Sequence, residues 1–167
     1  MCTTHSPLDI FTDLLQERKP AAFANIFGST KAPLLMGTAY FYATPYQGLL
    51  IEIEAGGLPY NKDGSCGQFY GMHIHENGDC SDNFTKTGSH YNPLNAPHPQ
   101  HAGDLPPLPG NHGYAYMVFY TCRLQIADII NRSIIIHDSY DDFTTQPSGN
   151  SGEKIGCGVI QAAGMHS

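Results

Sequence analysis

Residues 69–75 read Phe69-Tyr70-Gly71-Met72-His73-Ile74-His75 and carry the alternation of an extended strand. Successive side chains of a strand leave opposite faces, so Met72 and Ile74 share one face and His73 and His75 the other. The apolar pair suits a core. The two imidazoles then stand on the outside of a sheet, where only a covering loop could enclose them. Two aromatics at the start agree with strand preference. The same period runs through Leu49-Leu50-Ile51-Glu52-Ile53-Glu54, which sets Ile51 and Ile53 on the face opposite Glu52 and Glu54.

Outward from these segments, further strand candidates occupy 22–28, 35–43, 114–123, 132–137 and 156–162, most of them separated by breaks containing Gly, Pro or Asn. Short strands with turn signals and no alternation with helices predict an all-β antiparallel sandwich or barrel. Composition agrees: 18 Gly, 12 Pro and 10 Tyr among 167 residues, with 14% charged, favour strands joined by turns and loops. One domain of this length buries enough core to fold alone. Ser6-Pro7-Leu8-Asp9 is a helix start, with Ser6 as N-cap and Asp9 answering three residues later. Ile10, Phe11, Leu14 and Leu15 form one apolar stripe that Pro20 ends. Residues 1–20 are therefore expected as a short helical extension packed on the outside of a domain at 21–167.

A net charge of −7 argues against nucleic acid or an anionic membrane surface as partner, since either needs a basic face. Asp9, Asp13, Glu17, Arg18 and Lys19 interrupt the first twenty residues, so neither a signal peptide nor a membrane span is predicted there. The sequons at Asn83 and Asn131 are read as incidental.

Two stretches resist the strand pattern: 77–112, rich in His, Asn, Gly and Pro, and the shorter 138–155. Loops of that length inside a compact domain are usually functional or disordered, and the histidines decide for function. Seven of the nine fall between His73 and His137. His90, His98, His101 and Asp104 all lie in the first loop, and three imidazoles with one carboxylate suit tetrahedral zinc. His137 ends the candidate strand 132–137. Seven potential ligands exceed one four-coordinate ion but fit two ions that share an imidazole. A zinc hydrolase fits poorly: His75-Glu76-Asn77-Gly78-Asp79 is not His-Glu-x-x-His, and a bridging imidazole has little use in simple hydrolysis.

Several segments together resemble the copper/zinc superoxide dismutases. They are Gly71-Met72-His73-Ile74-His75-Glu76, Gly78-Asp79-Cys80, Gly88-Ser89-His90-Tyr91-Asn92-Pro93-Leu94, His101-Ala102-Gly103-Asp104-Leu105, His137 followed by Asp141-Asp142, and Gly156-Cys157-Gly158-Val159-Ile160. Order and spacing agree over residues 21–162. The resemblance implies a Greek-key, immunoglobulin-like β-sandwich or barrel with two long functional loops. It implies copper on His73, His75, His90 and His137, and zinc on His98, His101 and Asp104 with His90 bridging. Asp141 would accept hydrogen bonds from a copper ligand and a zinc ligand, and Cys80 and Cys157 would form a disulfide. The implied reaction turns two superoxide anions into dioxygen and hydrogen peroxide, with His90 carrying a proton. Cys2, Cys66 and Cys122 have no counterpart in the motifs, and Cys66 and Cys122 are expected as buried free thiols.

The chain departs from the family at Lys154, where Arg commonly stands three residues before the second disulfide cysteine. Lysine keeps the positive charge but loses the planar fork of donors, so steering of the anion should survive and anchoring weaken. Glu153 beside it opposes that charge. The rival reading is a copper carrier or store of the same fold, although such relatives typically lose a copper ligand and every metal position is filled here. Members of the family can keep their disulfide in the cytosol, and with no export signal the expected compartment is the cytoplasm. The resemblance admits a homodimer, whose contacts no motif marks.

Overall fold

The period-two segments become strands in the computed structural model, which describes residues 6–61 and 67–164. The strands are β1 (Ala22–Gly28), β2 (Met36–Ala43), β3 (Leu49–Gly56), β4 (Gln68–Tyr70), β5 (Met72–His75), β6 (Leu108–Asn111), β7 (Tyr114–Thr121), β8 (Ser133–His137), β9 (Lys154–Val159) and β10 (Gln161–Ala162). Their neighbours run β4-β6-β7-β3-β2-β1-β9-β8-β5, with β10 paired to β1. Every strand pair is antiparallel. β4 and β5 lie at opposite ends of this path, yet only Gly71 separates them in the chain. The sheet therefore curls until its two ends meet in one continuous segment, giving the nearly closed antiparallel barrel expected. The connection from β7 to β8 crosses an end of the barrel and carries a short helix, α2 (Ile126–Ile129), which the sequence pattern did not predict.

Alternation fills the interior. Ile51 and Ile53 of β3, Met72 and Ile74 of β5, and Ile134 and Ile136 of β8 are all fully buried in one core with Phe41, Leu49 and Leu108. Two positions depart from the expected pattern. Leu108–Asn111 lies within the stretch 77–112 that resists the strand pattern, but it pairs with both β4 and β7. The Pro-Pro-Leu-Pro-Gly run at 106–110 disguises this strand, because Pro109 gives no N–H to the ladder. Glu52 stands on the face opposite Ile51 and Ile53, yet it is only 5% exposed. The hydroxyls of Tyr42 and Tyr116 donate to its carboxylate at 3.0 and 3.1 Å, and Arg18 lies 3.8 Å away. A carboxylate is retained in such a place only when donors satisfy it. Burial, then the Glu52 carboxylate, push the Tyr42 hydroxyl well above its ordinary pKa.

The amino-terminal helix α1 (Pro7–Glu17) starts as the sequence indicates. Asp9 N–H donates to Ser6 Oγ at 3.3 Å and Ser6 N–H donates back to Asp9 at 3.2 Å. The helix ends where Arg18 turns into the left-handed region, at φ 52°, two residues before Pro20. No residue of α1 is fully buried; Ile10, Phe11, Leu14 and Leu15 are half-buried. Phe11 stacks on Tyr120, with ring centroids 5.6 Å apart, and meets Tyr46 edge-on at 6.0 Å.

Cys80 and Cys157 are joined across 77 residues of sequence. In the chain-entropy account, closing a loop of that size stabilises the fold by about 4 kcal/mol. Cys122 is a free thiol as expected, but it is exposed rather than buried, because it lies just beyond the end of β7. Cys2 and Cys66 lie outside the described residues. Among the described residues no helix is long and apolar enough to cross a membrane.

Ile53 is fully enclosed, whereas Leu34 is 79% exposed. Ile53→Ala should lower unfolding free energy by about 2–5 kcal/mol, as buried aliphatic truncations do. Leu34→Ala should change it by less than about 0.5 kcal/mol. Urea titration of both variants checks the assignment of core and surface.

Candidate metal centre

β5 pairs with β8 on one edge, and the first long loop supplies the pairing on its other edge. Ile74 N–H donates to Gly103 C=O at 2.8 Å, and Ile74 C=O accepts from Tyr91 N–H at 2.8 Å. Leu105 N–H donates to Met72 C=O at 3.3 Å. These contacts set His90 opposite His75, and Asp104 opposite His73. Gly103 is required here, because a Cβ would stand 2.3 Å from the Ile74 carbonyl oxygen. His137 closes the group from the end of β8, where its N–H donates to Gly71 C=O at 2.8 Å.

The result is two sets of donors with one member in common. Ligand atoms of His73, His75, His90 and His137 lie within 4.8 Å of one another, and so do those of His90, His98, His101 and Asp104. All seven side chains are buried, none more than 7% exposed. Every metal-ligand candidate read from the sequence is thus brought into one site, and Asp141, 2% exposed, lies beneath it.

The hydrogen bonds fix which nitrogen of each ring is free. His73 Nε2 and His98 Nε2 donate to the two oxygens of Asp141 at 2.7 and 2.8 Å. His75 Nδ1 donates to Gly88 C=O at 2.9 Å, and His137 Nδ1 to Gly152 C=O at 3.3 Å. Carbonyls only accept, so these ring nitrogens carry the proton and the opposite nitrogens keep a lone pair. Those opposite atoms, His73 Nδ1, His75 Nε2, His98 Nδ1 and His137 Nε2, have no hydrogen-bond partner although buried, and the same holds for His90 Nε2 and His101 Nδ1. His90 Nδ1 lies 2.8 Å from Asp104 Oδ1. His98 Nδ1 and His101 Nδ1 lie 3.1 and 3.2 Å from the Asp104 carboxylate. Buried ring nitrogens that no donor meets are costly unless something electrophilic does, and neutral imidazoles fixed by donation from the far nitrogen are how proteins present histidine to metals. The donor set fits metal ions.

Electrostatics agree. Burial is the largest influence on His73, His75 and His137 and lowers their pKa values to about 4, 2 and 3. The three rings are therefore neutral near pH 7. Burial alone would raise Asp141, but donation from His73, Phe143 N–H and His98 outweighs it and holds the carboxyl at about 2. An open cleft leads to His75, His90 and His137, with Lys154 on its wall. The Lys154 ammonium donates to Thr87 Oγ1 at 2.8 Å, Gly88 C=O at 3.0 Å and Phe84 C=O at 3.4 Å, and burial lowers its pKa. With the Cys80–Cys157 bond it ties residues 80–88 to β9.

Comparison with known proteins agrees with this geometry. The family model described as copper/zinc superoxide dismutase matches residues 35–160. The chain belongs to the copper/zinc superoxide dismutase family. The superoxide dismutase [Cu-Zn] of Deinococcus radiodurans is 36% identical over 148 residues, covering 75% of this chain and 77% of that one. That of Legionella pneumophila is 32% identical over 146 residues, covering 83% and 85%. Among solved structures, a double mutant of a SOD-like protein from Bacillus subtilis superposes with a TM-score of 0.73 at 31% identity, covering 84% of this chain and 97% of that one. The family is one whose name carries copper and zinc, and this member has the two His clusters to hold metal ions.

Residue-type reasoning missed the carbonyls of Gly88 and Gly152, which set two ring tautomers. It also missed Gln146 and Arg123, whose side chains hold the backbone of the loop segment 98–101. Backbone acceptors carry no sequence signature, and both side chains lie far from that segment along the chain.

In the metal-free protein His73, His75 and His137 bind protons less readily than in the unfolded chain, where histidine titrates near pH 6.5. Below that value the unfolded state holds more protons, so stability rises with pH and is lost on acidification. Asp141 acts in the same direction below the ordinary carboxylate range. The midpoint of thermal unfolding of the apoprotein should fall steadily from pH 6.5 to pH 4, each histidine contributing up to about 1.4 kcal/mol per pH unit. Calorimetry of the apoprotein checks this, and a midpoint that stays level over the range would contradict the neutral, buried rings.

Proposed function

We propose that the protein is a superoxide dismutase, with copper on His73, His75, His90 and His137 and zinc on His90, His98, His101 and Asp104. The observation that supports this reading most is the pair of buried donor sets joined through His90, with every unpartnered ring nitrogen in one set or the other. Four imidazoles suit a copper ion that changes oxidation state, and three with a carboxylate suit zinc. Copper bound there would supply a one-electron couple, by which two superoxide anions and two protons would give one dioxygen and one hydrogen peroxide.

The chain's own residues do the remainder. Asp141 and the carbonyls of Gly88 and Gly152 hold the rings in the tautomers that present a lone pair. His90 Nε2 offers its lone pair to the first set and would take up a proton only when freed from it, while Nδ1 stays with the second set. Lys154 places a positive charge on the wall of an otherwise acidic molecule and draws the anion inward. Its ammonium already donates to three loop oxygens, so it steers more than it anchors. That same occupancy favours the second reading, a copper carrier or store of this fold that turns over little.

Protein loaded with copper and zinc should remove superoxide in pulse radiolysis at a rate that falls as salt is raised. His137→Ala should abolish removal, and chelation should abolish it until copper is restored. Lys154→Gln should slow removal roughly tenfold and flatten the salt dependence. Stoichiometric copper with persistent superoxide would sink the enzyme reading and leave the carrier.

A further inference from the structure

His98 is held by more than its ring. Its backbone N–H donates to Gln146 Oε1 at 3.0 Å, and the Gln146 Nε2 group donates back to His98 C=O at 2.7 Å. The carboxamide thus takes both polar groups of one residue, as a neighbouring strand would, across 48 positions of sequence. A carboxamide sets a donor and an acceptor side by side on one planar group, and Asn, the other side chain that carries one, is one methylene shorter. The second loop is shaped to deliver this group: Asp142 accepts from the N–H groups of Thr144 and Thr145 at 2.9 and 2.8 Å and from Thr145 Oγ1 at 2.6 Å. On its other side the same segment is braced by Arg123, whose guanidinium donates to Pro99 C=O at 2.9 Å and His101 C=O at 3.4 Å.

We propose that Gln146 is a positioning residue of the zinc half-site, fixing the backbone of His98 so that His98 and His101 present their Nδ1 atoms together. The inference rests on the metal reading above. It joins the two long loops through a contact separate from Asp141. Removing the carboxamide leaves the ligand side chains in place but lets the segment that carries two of them move, so the zinc half-site should lose affinity.

Cobalt(II) serves as the probe, because its visible spectrum reports geometry at a zinc site. Copper-free protein is titrated with cobalt(II) in competition with a chelator, well below the unfolding midpoint of each apoprotein. The wild type should give a tetrahedral spectrum that His101→Ala abolishes. Gln146→Ala and Gln146→Glu should remain folded, bind roughly tenfold more weakly and show an altered spectrum, in the range usual for loss of a group that orients a ligand. Gln146→Glu keeps the bulk but loses the donor, so it reports on hydrogen bonding even where the alanine variant fails to fold. Wild-type affinity and spectrum in the Gln146 variants, with His101→Ala inactive in binding, would overturn the proposal and leave the zinc site standing. Undiminished binding by His101→Ala would instead overturn the zinc reading, and the proposal with it.

Discussion

The carboxylate of Asp141, buried between the two loops, accepts from His73 Nε2 at 2.7 Å, His98 Nε2 at 2.8 Å and Phe143 N–H at 2.8 Å. An isolated carboxylate could not stay ionised there, but three donors offset the loss of water. Because it only accepts, it dictates the tautomer of one ring from each donor set. Its room is fixed as well: at Gly149, where φ is +67°, a Cβ would fall 2.0 Å from Asp141 Oδ1. The placement of both donor sets thus depends on one anion packed against a residue that has no side chain.

Much of this was legible from the order of residues. The alternation in 72–75 set two imidazoles on one face and two core residues on the other, and the barrel keeps that division. The histidines and the aspartate of the first loop converge as their types and number suggested. The disulfide followed from the family's motifs, since five cysteines alone leave many pairings open. What escaped was set by tertiary pairing. Leu108–Asn111 has the composition of a break, yet two neighbouring strands recruit it. Glu52 keeps the outward alternation of β3 but lies under Tyr42 and Tyr116, so polarity and exposure part company at that position.

Local charge tempers the acidity of the molecule at the cleft that Lys154 lines. Glu153, next to Lys154, pairs with Lys31 at 2.5 Å and so opposes the cleft's positive charge less than its position suggests. Both partners are more than half exposed, so the pair adds little to stability.

The closure of the barrel at Gly71 also sets an order of assembly. β4 and β5 are consecutive, yet they join opposite ends of the sheet. The strand partner of His73 is Ile135, and the cysteine that fixes the first loop is 77 positions beyond its mate. Contacts this distant in sequence form slowly, because the chain between them must be ordered first. On a ribosome the histidines of β5 emerge well before the strand that seats them. The nascent chain therefore carries unseated imidazoles and an unpaired Cys80 through much of the second half of its synthesis, and the two donor sets are among the last parts of the molecule to be completed.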